Sequence, residues 1–400
     1  MEKLLEQAKV LQKDLVTIRR ALHERAETGF ALTQTVKLVK AELEKIGCKA
    51  EECGRSGLVT SIGQGEKCIL LRADMDGLPL QEQTNLSFAC KNGNMHACGH
   101  DLHTTMLLGS ARLLKAREKQ LKGMVKLLFQ PAEELLQGAQ SVIGAGVLEN
   151  PKPQVALMIH AVTAVELPTG TIVVASGGVS APSADYFRIE VKGKGCHGSA
   201  PWNGVDALTI ACHILIALQE ISARELSVSN PAVLTIGVLK SGQANNVISD
   251  KASLHGTLRA FDDSVRERVK KRVETIAKHT AKAFLGIAKI VYEGGCPTLV
   301  NDNAFSSFVE KNLKDLLGEK YALTSQSIGA NTKEKSGGSE DFAYISHKIP
   351  SVMVAVSAGE KGKGYEYPLH HPKVKFDENA LFVGSAVYAH TAIEWLKANG

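Results

Sequence analysis

A chain of 400 residues is too long for one comfortable core, so two domains are expected. Apolar content of 44% with 22% charged residues is ordinary for a soluble globular protein, and a net charge of +5 marks no polyanionic partner. The densest basic run, Arg266 to Arg272, alternates with apolar residues at helical spacing and reads as a solvated helix face, so no nucleic-acid partner is expected.

The N-terminus runs straight into an amphipathic pattern without the apolar core or cleavage site of a secretory signal. No apolar run approaches the length of a membrane span, and eight cysteines are scattered without a disulfide spacing. A cytoplasmic protein with no membrane partner is the expectation. Leu4, Ala8, Leu11, Leu15, Ile18 and Leu22 recur at steps of four and three, which predicts one long N-terminal helix. A second helix is expected from Thr33 to Ile46, stopped by Gly47. The period then changes: Leu58 to Ile62, Cys68 to Arg72, Val125 to Phe129 and Val155 to Ile159 are short apolar runs typical of buried strands. Helices are predicted between them, from Thr104 to Ala116 and from Ala139 to Leu148.

Alternation of helices with buried strands makes an α/β fold, a central mixed sheet covered by helices, the expected architecture. From Ala184 to Glu293 the order becomes strand, helix, two strands, helix, strand, the split βαβ or ferredoxin-like arrangement of an α+β unit. Gly294-Gly295-Cys296-Pro297 is read as its hinge. The expected division is therefore a discontinuous catalytic domain, residues 1–183 and 295–400, interrupted by a second domain at 184–294. Gly329 to Gly338, rich in Lys, Gly and Ser, is expected to be a mobile loop.

Chemically loaded residues fall at the ends of the predicted strands, where open α/β sheets place their sites. Asp74 and Asp76 follow the Cys68 strand, Glu133 and Glu134 follow the Val125 strand, and His160 is expected to end the Val155 strand. Met95-His96-Ala97-Cys98-Gly99-His100-Asp101-Leu102-His103 packs a thiol, a carboxylate and three imidazoles into one short stretch. Cys98 and His100 lie on a turn that Gly99 permits, and such donors suit a divalent transition metal, although a structural turn with an incidental thiol remains open. Asp74 or Asp76 suits orientation of a ligand imidazole, or a plain polar turn. The vicinal pair Glu133-Glu134 suits division of labour between ligand and proton carrier, or acids at a helix start. Late in the chain, Leu369-His370-His371-Pro372 supplies two further imidazoles.

These motifs resemble the aminoacylase and carboxypeptidase family of two-metal metallopeptidases, in its amidohydrolase branch of hippurate hydrolases, N-acyl-amino-acid deacylases and auxin-conjugate hydrolases. The resemblance begins at Arg19-Arg20-Ala21-Leu22-His23, passes through Lys192 to Gly198, and ends with Gly338-Ser339-Glu340-Asp341-Phe342 and Leu369-His370-His371-Pro372. It implies two divalent ions, zinc or manganese before cobalt or nickel, held by Cys98, His100, Glu134, His160 and His370, with Cys98 bridging. It implies Glu133 as general base and acid, and Asp76 beside it in the catalytic set. His197 is implied to reach the substrate carbonyl from the smaller domain, a lid that also dimerises, while Asn246 and Arg259 hold the substrate near its carboxylate.

The implied reaction is hydrolysis of N-acyl-amino acids, small molecules, by a homodimer or higher homo-oligomer. A dipeptidase or carboxypeptidase activity is the alternative within the fold; outside it stand a cysteine hydrolase using Cys98 and a non-catalytic metal-dependent binder. The chain departs from the family pattern at Ala26, at Leu135-Leu136 after the two glutamates, and at Cys196, Gln243 and Ser249. The leucines border the implied site, so the acyl group is not carried over by analogy.

Overall fold

A computed structural model describes residues 2–329 and 337–400, with side chains from Leu4 onward. Residues 330–336 of the expected loop at Gly329 to Gly338 lie outside the described residues. The described residues form two compact units, the larger within Met1–Ser180, Val300–Lys335 and Asp341–Gly400, the smaller within Ala181–Leu299 and Ser336–Glu340.

The N-terminal stripe forms two helices rather than one, α1 (Glu2–Val10) and α2 (Gln12–His23). Leu11 occupies the turn between them, its N–H bonded three residues back to Ala8 O. The turn allows α1 to pack on the C-terminal helix while α2 packs on the helix that follows the Cys98 motif. After α3 (Thr33–Lys45), β1 (Glu51–Cys53) and β2 (Gly57–Gly63) pair antiparallel. β3 (Cys68–Asp74) is buried along its whole length even though it carries Arg72 and Asp74. α4 (His100–Lys115) starts at His100 rather than Thr104, which puts the whole His100 to His103 segment on its first turn. β4 (Met124–Gln130) follows, then α5 (Gly138–Gly144), which stops short of Leu148 where Gly144 and Gly146 weaken the helix. β5 (Val155–Val162) continues past His160, so that histidine lies within the strand instead of ending it. β6 (Ile172–Val174) and β7 (Gly178–Ala181) complete this half.

The smaller unit contains β8 (Ser183–Lys192), β9 (Cys196–His197), α6 (Ala207–Glu220), β10 (Ala232–Ser241), β11 (Val247–Ile248), β12 (Lys251–Ala260), α7 (Asp263–Ala283) and β13 (Ile287–Cys296). Four strands form a sheet in the order β10-β12-β8-β13, each neighbour antiparallel. Asp206 and Asp262 cap α6 and α7 by accepting from backbone N–H groups of their first turns. Phe187, Ile189 and Val191 of β8 share a core with Ile210 and Ile214 of α6 and Val269 of α7. The expected hinge at Gly294 to Cys296 is strand: β13 stays paired to β8 through Cys296↔Ala184, after a bulge at Tyr292/Gly294. The expectation that nothing approaches a membrane span also needs correction. Ala207–Glu225 is long and apolar enough to cross a membrane by length and composition. Its apolarity has two sources, one face in the unit's core and a second face exposing Leu208 and Ile216.

Returning to the larger unit, the chain forms β14 (Leu299–Asn301), α8 (Asn303–Leu317), β15 (Ala322–Thr324), α9 (Ala343–Ser346), β16 (Ser351–Ser357) and α10 (Ala380–Asn399). Eight described strands make one mixed sheet in the order β1-β2-β4-β3-β5-β16-β6-β15. Its centre, β4-β3-β5-β16, is parallel, and the edges carry the antiparallel pairs. This is a mixed α/β fold with a large central sheet. α10 is apolar nearly all round because it is buried between α4 and α8. Glycines let α4 and α10 cross closely: a Cβ on Gly109 would stand 2.2 Å from Ser385 Oγ, and one on Gly384 would stand 2.0 Å from Met106 Sδ.

Lys126 of β4 ties down the connection from α5 to β5, its Nζ donating to Val147 O at 2.9 Å, Glu149 O at 2.7 Å and Pro151 O at 2.8 Å. Lys126→Met would leave three inward-facing carbonyls without that donor. A loss of about 1–3 kcal/mol in unfolding free energy is expected, read from the urea midpoint.

Candidate metal centre

The site begins with a backbone constraint. Gly99 has φ +90, and a Cβ there would lie 3.4 Å from Ala161 Cβ and 3.2 Å from the Phe376 ring, so only glycine lets the chain turn sharply from Cys98 into α4. His100 thereby becomes the first residue of α4, fully buried. Its Nδ1 lies 2.8 Å from Asp76 O, and since a carbonyl only accepts, Nδ1 carries the proton. Nε2 is left buried and without a hydrogen-bond partner. His160 repeats the arrangement from β5: its Nδ1 donates to Ala161 O at 2.8 Å, and its Nε2 faces Cys98 Sγ at 3.6 Å.

Of the clusters of donor atoms that result, two share one thiol. Cys98, His100 and His160 bring ligand atoms within 4.8 Å of one another, and so do Cys98, Glu134 and His370. Glu134 Oε1 is 3.4 Å from His370 Nε2 and 3.9 Å from His100 Nε2. His370 adopts φ +65, a left-handed conformation costly for a side chain with a Cβ, and its N–H bonds to Ala97 O at 2.9 Å, which holds it beside Cys98. His371 turns away to stack on Tyr367, so of the two late histidines His370 joins the cluster.

Asp76 does more than the sequence suggested. Its backbone carbonyl orients His100, while Oδ1 accepts from Glu133 N at 3.0 Å and Oδ2 from Glu134 N at 3.3 Å. One buried carboxylate thus fixes the turn bearing both glutamates, and Glu133 Oε2 lies 3.9 Å from His100 Nε2. Asp74 takes a different part: Oδ1 meets His103 Nδ1 at 2.6 Å, and His103 Nε2 accepts Ala161 N at 2.7 Å. Asp101 pairs with Arg19 and His23 and stays out of the cluster, as does His96.

Charges in the cluster are strongly coupled. Burial alone would raise the Cys98 thiol, but positive charge on His100 and His160 outweighs it and brings the group down to about 6. Burial opposes charge on His100 too, yet Asp74 and Cys98 push it well above the usual histidine range. The thiol of Cys98 and the carboxylate of Glu134 beside it raise His370 to about 10. Burial dominates for His103, which falls to about 4 and remains a neutral acceptor for Ala161 N. A thiolate, imidazole nitrogens with fixed tautomers, and a buried carboxylate oxygen lacking a hydrogen-bond donor form a donor set that fits two divalent cations.

In the smaller unit, His197 of β9 is exposed and its Nδ1 accepts from Ser199 N at 3.1 Å, which leaves Nε2 to carry the proton. Asn246 lies beside it, its carbonyl accepting from Gly198 N at 2.7 Å. Arg259 of β12 is half-buried against Tyr186, donating to the phenol oxygen at 3.0 Å. Two fully buried charged residues have no role legible from the sequence alone, Arg72 and Asp341. Their signal was present, a charge inside an otherwise apolar strand and an acid in the motif beginning at Gly338.

The sequence profile of peptidase family M20/M25/M40 matches residues 70–394. The chain is 36% identical over 390 residues to an N-acetylcysteine deacetylase of Bacillus subtilis (strain 168), covering 96% of this chain and 97% of that protein. It is 34% identical over 389 residues to IAA-amino acid hydrolase ILR1-like 4 of Arabidopsis thaliana, covering 96% and 86%. The crystal structure of the Bacillus subtilis YXEP protein, a dinuclear metal binding peptidase from the M20 family, superposes with a TM-score of 0.77 at 34% identity, covering 97% of this chain and 99% of that one.

The geometry separates the two adjacent histidines. His370→Ala is expected to lower the divalent metal retained after dialysis, and His371→Ala to leave it at the wild-type level, both measured by elemental mass spectrometry.

Proposed function

The chain belongs to peptidase family M20/M25/M40, and from that premise we propose that it hydrolyses the amide bond of N-acyl-amino acids, releasing a carboxylic acid and a free amino acid. The observation that carries this reading is the pair of donor clusters sharing Cys98, with Glu133 fixed beside the ligand Glu134 by a common tie to Asp76. Cys98, His100 and His160 would hold one divalent ion and Cys98, Glu134 and His370 the other, zinc or manganese ahead of cobalt or nickel by the mixture of thiolate, imidazole and carboxylate. Such ions supply Lewis-acid activation of water and of the scissile carbonyl.

Glu133 is the general base and acid: it takes the proton of the attacking water and hands it to the departing amine. Its position beside Glu134 supports the role, because the two carboxylates leave the same fixed turn. His197 donates from Nε2–H to the oxygen of the substrate carbonyl, where negative charge develops. The acceptor role of its Nδ1 toward Ser199 N supports that tautomer. Arg259 and Asn246 hold the carboxylate of the amino-acid part, a task suited to the planar guanidinium fork.

The larger unit, expected at 1–183 with 295–400 and described within Met1–Ser180, Val300–Lys335 and Asp341–Gly400, is the catalytic domain, and the smaller, expected at 184–294 and described within Ala181–Leu299 and Ser336–Glu340, is a ferredoxin-like lid that dimerises. The exposed apolar residues Leu208 and Ile216 on α6, and Val233 and Val238 on the edge strand β10, support burial against a second copy. A cytoplasmic location completes the proposal, supported by eight free cysteines. Peptidase activity on dipeptide-like substrates is the second reading, favoured by the similarity to the YXEP peptidase. A hydrolysis panel that varies the acyl group against several amino acids, with dipeptides alongside, tests both. Turnover of dipeptides with none of acyl-amino acids would overturn the first.

Glu133→Gln is expected to cut kcat by about 10²–10⁴-fold with metal content unchanged. Full turnover by that variant would remove Glu133 from its role. Mixing His197→Ala subunits with Glu133→Gln subunits tests whether the histidine serves a partner's site: restored activity indicates supply across the dimer, and none indicates supply within one subunit.

A further inference from the structure

The turn bearing Glu133 and Glu134 is anchored at both ends by one side chain far away in sequence. Asp341 Oδ1 accepts from Arg72 Nη2 at 2.8 Å and from Gln130 Nε2 at 2.7 Å, while Oδ2 accepts from Ala139 N at 2.8 Å. Gln130 ends β4 immediately before the turn, and Ala139 is the second residue of α5, which follows it. Asp341, Arg72 and Gln130 are fully buried. Arg72 is itself held from three directions, Nε by Gln130 Oε1 at 3.0 Å, Nη1 by Asp74 Oδ2 at 2.8 Å and Nη2 by Asp341.

Between the anchored ends the backbone is strained. Ala132 stands at φ +53 and Leu136 at φ +54, and for non-glycine residues such conformations persist only when the surroundings impose them. The Cys98, His100 and His160 cluster has its own supports, the Gly99 turn, Asp76 O and Ala161 O. His370 is likewise held separately, by Ala97 O. Among the donors of both clusters, only Glu134 lies on the segment that Asp341 clamps.

We propose that Asp341 is a positioning residue for one of the two cations: by clamping the 131–138 turn it sets the Glu134 carboxylate, and so governs the ion at Cys98, Glu134 and His370 while leaving the ion at Cys98, His100 and His160 alone. This rests on the two-cation reading above. Loss of a buried partner behind a ligand costs about 10–100-fold in metal affinity.

The test is equilibrium dialysis of the full chain against zinc-buffered solutions, with bound zinc measured by mass spectrometry and folding followed by circular dichroism. Wild type should bind two ions, and fewer would overturn the two-cation reading itself. Asp341→Asn keeps the shape and removes the charge; it should weaken one ion about 10–100-fold and leave the other within about twofold. In a Glu134→Gln background the same change should add nothing, because the ligand it positions is gone. Equal weakening of both ions, unchanged affinities, or full additivity with Glu134→Gln would each overturn the proposal while two ions in wild type leave the functional reading standing. If Asp341→Asn does not fold, Gln130→Met, which removes Asp341's bond to β4 without removing a charge, should shift the same ion in the same direction; unchanged affinities there would overturn it.

Discussion

The larger unit depends on the place where its two central parallel strands part. β3 and β5 pair from Ile69↔Val155 to Arg72↔Met158 and no further, although β5 runs on to Val162. Separated strands leave backbone groups that burial makes costly to abandon. Side chains take them over: Tyr388 OH donates to Arg72 O at 2.6 Å and accepts Ile159 N at 2.8 Å, and His103 Nε2 accepts Ala161 N at 2.7 Å. The Cys98–Gly99 turn enters the opening, with the bare Gly99 Cα against Ala161. A crevice at the carboxyl ends of parallel strands is where such sheets hold their ligands, and here its chemistry follows from how the opening is filled.

Filling it requires buried charge, which is stable only when every group is matched. Arg72 has Asp74 and Asp341 on its two terminal nitrogens and Gln130 on Nε. Asp74 passes the connection to His103, and burial keeps that imidazole neutral so that it can accept Ala161 N. A parallel network joins α2 to α4 through Arg19, His23 and Asp101, with Arg19 Nε 2.8 Å from Asp101 Oδ2. Both networks end next to His100, one through Asp74 and the other through its chain neighbour Asp101. The ligand helix is therefore held by ion pairs from both sides, and its first turn has little freedom to adapt.

Much of this was legible in the sequence. Apolar runs bounded by glycine located the central strands, because a strand buried on both faces has no polar face to alternate. The donors were legible because thiol, imidazole and carboxylate at strand ends lack a packing rationale. The break at Leu11 was not, since the stripe of Leu4, Ala8, Leu15 and Leu22 remains apolar through it and only packing partners decide the bend. The hinge at Gly294 failed for a related reason: glycine signals a turn or a bulge equally, and pairing with β8 selected the bulge. The role of Asp76 was hidden because half of it belongs to a backbone carbonyl and half to amides more than fifty residues away. Arg72 was visible as an anomaly in an apolar strand, but its meaning needed Asp341, which only the fold brings near.

Cys98 is where two chemistries compete, since a thiol 3.6 Å from an imidazole and lowered to about 6 resembles an activated nucleophile. The hydrogen bonds on the far side of each ring argue otherwise. With Nδ1 of His100 given to Asp76 O and Nδ1 of His160 given to Ala161 O, both rings direct Nε2 toward the same sulfur, and Glu134 adds an oxygen without a donor. A nucleophile needs one base; here two lone pairs, a thiolate and carboxylates converge, and they repel unless positive charge stands among them. The protein supplies part of that charge by raising the affinity of His100 and His370 for protons. The pull that draws a proton to those nitrogens is the pull that draws a divalent cation, so the proton affinity of the cluster and its fitness as a metal centre have one electrostatic origin.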